Sequence, residues 1–232
     1  MKIAIISGTS IERADTFAGW REHRLETLHG EILVKEQGNL VAMNRHGFEH
    51  ALPPHAINYR ANVEALCQLG VTSVVTLSSV GSVREEIPPG SLVSCEDYMS
   101  FAPKTFVDDR MSAFAPVIGN PHLDGIAACT ELPIVRGKVY MQTRGPRFET
   151  RAEVRAIQVL GGDVVGMTFA NEADLILERG LELTPFCMVD NFAHGVRSSE
   201  LSMEAFQALV AKNQDTINQF LADVVDYLSD CS

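Results

Sequence analysis

Hydrophobic positions along this chain follow two rhythms. Short continuous apolar runs alternate with longer segments in which apolar residues recur every three or four positions. The first rhythm marks strands buried on both faces, the second helices with one apolar stripe. Strands are predicted at Lys2–Ser7, Glu31–Lys35, Asn39–Met43, Val71–Leu77, Ser91–Tyr98, Gly137–Gln142, Asp163–Gly166 and Pro185–Asp190. Gln37-Gly38 reads as the turn between the second and third of these. Helices are predicted at Asn58–Leu69, which stops at Gly70, at Glu149–Leu160, which stops at Gly161-Gly162, at Asn171–Arg179 and at Ser202–Leu228. The last carries Phe206, Leu209, Val210, Ile217, Phe220, Leu221 and Val224 on one face, with Ser199 or Ser202 as its cap. Met99 to Asp124 mixes Pro, Gly, Asp and Phe and is predicted as a loop or lid. Strands alternating with helices build an α/β fold on a mainly parallel sheet. With no repeat or linker in view, residues 1–232 are expected to form one domain.

Composition narrows the class. The 232 residues are 46% hydrophobic and 21% charged, an ordinary globular balance. Acids outnumber bases 30 to 19, for a net charge of −11, and no Lys/Arg-rich run is present. A nucleic-acid partner is therefore not expected, and an anion site must be a local cluster of donors working against the overall field. Five scattered cysteines without a CxxC pair argue against a disulfide framework or zinc cluster and favour a reducing, cytoplasmic setting. The opening MKIAIISGTS reads as a first strand rather than a targeting segment, and no apolar run is long enough to span a membrane.

The chemistry is expected where strands end. In open α/β sheets, ligands bind beyond the carboxyl ends of the strands. Gly8-Thr9-Ser10, Ser78-Ser79-Val80-Gly81-Ser82 and Met167-Thr168 place small polar residues there, and Asn44-Arg45-His46-Gly47 adds a cation. Exposed backbone N–H groups, hydroxyls and a forked guanidinium together make a phosphate cradle. Singly, Gly8-Thr9-Ser10 reads first as a plain βα turn, and Arg45 equally as a solvated surface charge. Two patterns are decoys. His46-Gly47-Phe48-Glu49-His50 matches HxxEH, but that metal motif needs a helix, which Gly47 and Pro53-Pro54 oppose. A glycine turn follows the first strand, yet GxGxxG, a GxSxG elbow and a P-loop lysine are all missing.

Four ordered blocks then carry a resemblance. Asn44-Arg45-His46-Gly47, His50, Pro54 and Asn58-Tyr59-Arg60-Ala61-Asn62 resemble the "RHG…H…P…NYxAN" block of trimeric purine nucleoside and 5′-methylthioadenosine phosphorylases. Ser79 to Gly90 resembles their "GSLREEIxPGD" segment, Gly145 to Glu153 their "GPxFET/SxAE", and Val165-Gly166-Met167-Thr168 with Glu172 their "VGMS/TxxPE". The blocks run in the family's order from Ile3 to about Gly195. The resemblance implies a three-layer α/β/α fold around a mixed, mainly parallel twisted sheet, a homotrimer, and no metal or organic cofactor, inorganic phosphate being the co-substrate. It implies phosphate contacts at Thr9, Arg45, His46, Ser78 and Thr168. It also implies Ser79, Val80 and Gly81 along the nucleoside, Met167 against the ribose and Phe148 against the base. The activity implied is phosphorolysis of a purine nucleoside to base and sugar 1-phosphate.

Two positions speak to the base. Relatives acting on 6-oxopurines resemble this chain in having Glu149 and Asn191, where adenine-selective relatives have Ser and Asp. A carboxylate can accept from N1–H, and an amide can donate to O6 and N7. Glu149 reads alternatively as an acid at a helix N-terminus. Asn191 is expected to hold N7 as negative charge builds on the leaving base, Glu149 to hold the base, and His46 to donate to phosphate. Relatives acting on ordinary nucleosides carry a His near the 5′-hydroxyl, where this chain has Met203 and Phe206. These two either line an apolar 5′ pocket suited to a methylthio group or belong to the helix core. S-methyl-5′-thioinosine and inosine or guanosine are the expected substrates; 5′-methylthioadenosine or adenosine phosphorolysis, nucleoside hydrolysis and a non-catalytic nucleoside-binding module are the alternatives. Asp190, where relatives have Thr, and the short 106–119 segment, where Phe114 is a candidate for closing a site, depart from the family pattern.

Overall fold

The computed structural model describes residues 1–8, 11, 14–49, 51–197 and 203–231, without the side chains of residues 203–207. Its strands are β1 (Lys2–Ser7), β2 (Arg21–Thr27), β3 (Gly30–Gln37), β4 (Leu40–Asn44), β5 (Val71–Ser82), β6 (Leu92–Met99), β7 (Ile134–Gln142), β8 (Val164–Gly166) and β9 (Glu182–Phe192). Its helices are α1 (Tyr59–Gln68), α2 (Leu123–Cys129), α3 (Arg151–Leu160), α4 (Phe169–Glu178) and α5 (Met203–Asp230). The candidate caps of α5, Ser199 and Ser202, lie outside the described residues. No helix among the described residues is long and apolar enough to cross a membrane.

The strands form one sheet in the order β2-β3-β4-β1-β5-β8-β7-β6-β9, and β9 turns back to pair with β5. Thus β5, β8, β7, β6 and β9 close a ring, and β1, β4, β3 and β2 extend from β5 as a wing. Pairings β1–β4, β1–β5, β5–β9, β6–β7 and β7–β8 are parallel; β2–β3, β3–β4, β5–β8 and β6–β9 are antiparallel. The sheet is mixed, as the resemblance implies, but partly closed rather than open, which corrects the expectation from strand–helix alternation. Alternation reports the order of elements but not which strands meet. Here β5 and β9, at 12 and 11 residues, are long enough to pair with each other and with further neighbours. Ring closure also removes exposed strand edges.

Closure explains a second correction. Ser78 to Ser82 reads as a break after an apolar run, but it stays in β5. Ser78 to Ser82 pair with Cys187 to Phe192 of β9, and Gly81 and Ser82 also pair with β8. The polar strand β2 escapes the hydrophobic pattern because it is a half-exposed edge, zipped onto β3 from Arg21↔Glu36 to Thr27↔Gly30.

Alternate residues of β5 serve two cores, as a period of two requires. Val74 and Val80 join Val93, Tyr140, Val164 and Val189 in the core closed by α1 and α4. Val75 and Leu77 pack with Phe186 and Met188 against Ile217, Phe220, Leu221 and Val224 of α5. Helix α3 lays Val154 and Ile157 on Met141 and Val165. Helices therefore cover both faces of the sheet.

Candidate active site

The ends of β1, β4, β5 and β9, the turn after β8 and the segment before α3 converge on one cavity of about 420 Å³. Arg45, His46, Ser78, Ser79, Val80, Gly81, Phe148, Glu149, Met167, Thr168 and Asn191 all line it. The described residues expected to contact phosphate or nucleoside are thus on one wall or another. Thr9 and the side chains of Met203 and Phe206 lie outside the described residues. The lining also holds Pro53, Pro54, Met188, Asp190, Val210 and Ile217, which sequence patterns do not single out as a group.

Arg45 is not a solvated surface charge. Its side chain is 2% exposed and that of Glu172 0%. Nε donates to Glu172 Oε1 at 2.7 Å and Nη2 to Oε2 at 3.2 Å, a bidentate pair. Nη1 donates to Leu77 O at 2.9 Å, and Nη2 also approaches Ile6 O at 3.4 Å. Burial disfavours the guanidinium charge, but Glu172 outweighs it and keeps Arg45 charged. One Nη1 hydrogen is left without an acceptor among the described residues. Nη1 lies 3.4 Å from where a Cβ on Gly8 would stand, so Gly8 lets the backbone approach the cation closely. Glu172 was visible in the sequence as part of a block; its role as the anchor of a residue 127 positions away was not.

Two hydroxyls sit beside this charge. Ser78 Oγ is buried with no hydrogen-bond partner. Such a group costs about 1–3 kcal/mol unless a ligand or water meets it. Thr168 is the N-cap of α4, yet its side chain makes no capping bond. The backbone N–H groups of Thr168 and Phe169 donate instead to Tyr140 Oη, at 3.1 and 3.2 Å. His46 directs Nδ1 at Leu52 O, 2.7 Å away, so Nδ1 carries the proton and Nε2 is the nitrogen left near Gly8. Burial, aided by the Arg45 charge, holds its pKa below the ordinary histidine value. The neutral ring meets an anion as an acceptor at Nε2. Donation from that nitrogen, the role expected from sequence, requires a protonated ring.

At the other end lie Glu149 and Asn191. Glu149 precedes Thr150, the N-cap of α3, whose capping box is completed by Glu153. The first-turn acid is therefore Glu153, and Glu149 does not serve the helix. Glu149 is buried; its Oε1 accepts from Thr143 Oγ1 at 2.7 Å, and its second oxygen has no partner among the described residues. Asn191 Nδ2 donates to Phe192 O at 2.8 Å, which fixes the amide orientation and leaves one N–H and Oδ1 for a ligand. Gly81 is packed against it: a Cβ there would lie 3.3 Å from Asn191 Nδ2.

Other motif residues turn out to support the site. Asn58 caps α1 by accepting from Ala61 N at 3.1 Å, and Asn62 Nδ2 donates to Arg45 O at 3.2 Å. Tyr59 Oη donates to Pro54 O at 2.9 Å. The HxxEH pattern runs through turns and irregular backbone from His46 to Glu49, not a helix, and His50 lies outside the described residues. Residues 101–119 are irregular, as expected, but tied down: Thr105 Oγ1 and Phe106 N donate to Glu178 at 2.7 and 2.6 Å, and Arg60 pairs with Asp108. Phe114 is not among the residues lining the cavity of its own chain.

An α/β protein with a buried cation and an unsatisfied hydroxyl at one end of a cavity, and a carboxylate and an amide at the other, defines a class that holds an anion beside a polar heterocycle. The chain belongs to the phosphorylase superfamily, whose family model matches residues 2–226. It is 39% identical to a probable S-methyl-5′-thioinosine phosphorylase of Methanothermobacter thermautotrophicus, over 97% of this chain and 82% of that one. It is 35% identical to a probable 6-oxopurine nucleoside phosphorylase of Moorella thermoacetica, over 97% and 92%. Among solved structures, an adenosine/methylthioadenosine phosphorylase of Schistosoma mansoni shares the fold with a TM-score of 0.81 at 23% identity, covering 99% of this chain and 92% of the other.

Proposed function

We propose that this chain is a purine nucleoside phosphorylase for 6-oxopurine nucleosides, moving the pentosyl group to inorganic phosphate and releasing the free base. The observation that carries this reading is a single cavity that joins the Arg45–Ser78 end to the Glu149–Asn191 end. The names of the relatives at 33–39% identity agree with it.

In this mechanism phosphate binds as a dianion at Arg45, Ser78 and Thr168, with Thr9 as a further contact. Its remaining P–OH donates to His46 Nε2, so the charged oxygens stay free to face the sugar. The C1′–N9 bond breaks ahead of bond formation, leaving positive charge on the ribose and negative charge on the purine. Phosphate below C1′ balances the first and becomes bonded to it; the free N–H of Asn191 stabilises the second at N7. Glu149 accepts from N1–H, Phe148 lies on the base, Met167 lies against the ribose, and Ser79, Val80 and Gly81 line the nucleoside. No metal or organic cofactor enters the reaction.

Leu77, Met188, Val210 and Ile217 make an apolar wall, which supports a 5′-methylthio group over a 5′-hydroxyl; Met203 and Phe206 would extend it. Both Asp190 oxygens are already engaged, by Ser79 and Asn213, which keeps the adenine-type reading second. The enzyme is proposed to act as a homotrimer in the cytoplasm. Exposed Phe101 and Leu160, in a second cavity that shares Glu149, supply apolar surface for a subunit contact.

The test is base release from inosine, guanosine, adenosine and their 5′-methylthio forms, with and without phosphate. Release should require phosphate and favour 6-oxopurines by about tenfold or more, the worth of one mismatched buried hydrogen bond. Phosphate-independent release would make the protein a hydrolase, binding without release a non-catalytic module, and a preference for 6-aminopurines an adenine-type enzyme. Gly81→Ala, which presses on Asn191, is expected to lower kcat/KM about tenfold through misplacement of that amide, with thermal melting nearly unchanged; an unaltered kcat/KM would show that the close approach is not needed.

A further inference from the structure

A carboxylate without a cation stands in the cavity wall. Asp190, next to Asn191 on β9, is 1% exposed and has no ion-pair partner among the described residues. Its Oδ2 accepts from the Ser79 hydroxyl of β5, and its Oδ1 accepts from Asn213 Nδ2 of α5 at 2.9 Å. Asn213 Nδ2 also reaches Val189 O at 3.3 Å, and the residue is 8% exposed. Asn213 itself does not line the cavity, whereas Val210 and Ile217, one turn to either side on the same helix, do.

Burying an unpaired carboxylate is costly, so its donors matter. Here they come from two different elements. Pairing of β5 with β9 runs from Ser73↔Glu182 to Ser82↔Phe192, with a register shift between Val80 and Gly81 that leaves Asp190 out of the ladder, so the strands do not need it to pair. Ile217, Phe220, Leu221 and Val224 of α5 make an apolar contact with the sheet. Apolar contacts tolerate small slides and rotations of a helix; a directional polar pair sets its position.

We propose that Asp190 is a positioning residue that clasps Ser79 and Asn213 together, seating α5 so that Val210 and Ile217 form the helix wall of the nucleoside cavity beside Asn191. The inference rests on the nucleoside reading of that cavity. It accounts for a buried charge beside the base site that neither the phosphate nor the proposed base contacts use. It also makes nucleoside affinity depend on a residue, Asn213, that touches no substrate.

The test compares Asn213→Ala, Asp190→Asn and the exchanged pair Asp190→Asn with Asn213→Asp. Asn213→Ala removes the clasp together with the longer bond to Val189 O and keeps the apolar contacts of α5. It should raise the nucleoside KM about tenfold, the worth of a hydrogen bond to a carboxylate, with the phosphate KM within about twofold of wild type by the same reasoning. The exchanged pair reverses donor and acceptor between the two side chains and should return part of the nucleoside KM, the bond to Val189 O staying lost. A nucleoside KM unchanged in Asn213→Ala overturns the clasp, as do equal rises in both KM values and an exchanged pair no better than the single variants. Wild-type base release is measured first: its absence overturns the functional reading and the clasp with it, whereas an active wild type with an indifferent Asn213→Ala overturns the clasp alone.

Discussion

Arg45→Leu is expected to remove phosphorolysis and to cost the fold about 3–5 kcal/mol, the penalty for stripping one partner from a buried ion pair. The two losses have different origins. Glu172, at 0% exposure, would be left charged or forced to take up a proton without its bidentate partner. Leu77 O would also lose its donor. Activity, by contrast, is expected to depend on the Nη1 hydrogen that no group among the described residues accepts. The double variant Arg45→Leu with Glu172→Leu separates them. Replacing both members of a buried pair by apolar residues is often close to neutral, so chemical denaturation should show most of the stability restored. Phosphate KM and kcat should stay impaired, with kcat/KM for phosphate down by about 10²–10³-fold, as for loss of a preorganised charge-stabilising group. A double variant that regains both stability and phosphate use would reduce the guanidinium to a structural part.

Asn191→Ala is expected to lower kcat by about 10²–10³-fold with only a small rise in nucleoside KM. The amide is preorganised: its Nδ2 is held at 2.8 Å by Phe192 O and backed by Gly81, so the second N–H needs no reorientation when charge develops. In the ground state N7 is a weak acceptor, and in the transition state it carries part of the leaving group's negative charge. An interaction that strengthens along the reaction coordinate appears in kcat rather than in KM. Asn191→Asp keeps the shape but offers no N–H while ionised, and should be about as slow. Steady-state kinetics at saturating phosphate checks both; a rise in KM with kcat preserved would make Asn191 a binding group and leave the base to depart without its help.

Much of this site was legible in the amino-acid order. Glycines and small hydroxyl residues after apolar runs mark where backbone can approach a ligand, and Arg45 supplies the charge; these are short-range signals, and Gly8, Arg45, Ser78, Ser79, Gly81 and Thr168 among them line one cavity. Helix stops at Gly70 and Gly161 were equally local. The family blocks added the purine, which no spacing of residues could have named.

Other features were hidden because they depend on partners far apart in the chain. Alternation of apolar and polar residues tells whether a position is buried, not which strand lies beside it, so the ring closure of β5 with β9 left no periodic trace. Ser78 to Ser82 looked like a turn because small residues are weak strand formers; pairing on two sides overrode that preference. Arg45 could not be told from a surface charge until Glu172 was brought beneath it, nor Glu149 from a helix-capping acid until α3 began two residues later. Local chemistry had chosen the elements and the reactive groups; their burial and orientation came from contacts among segments that only folding brings together.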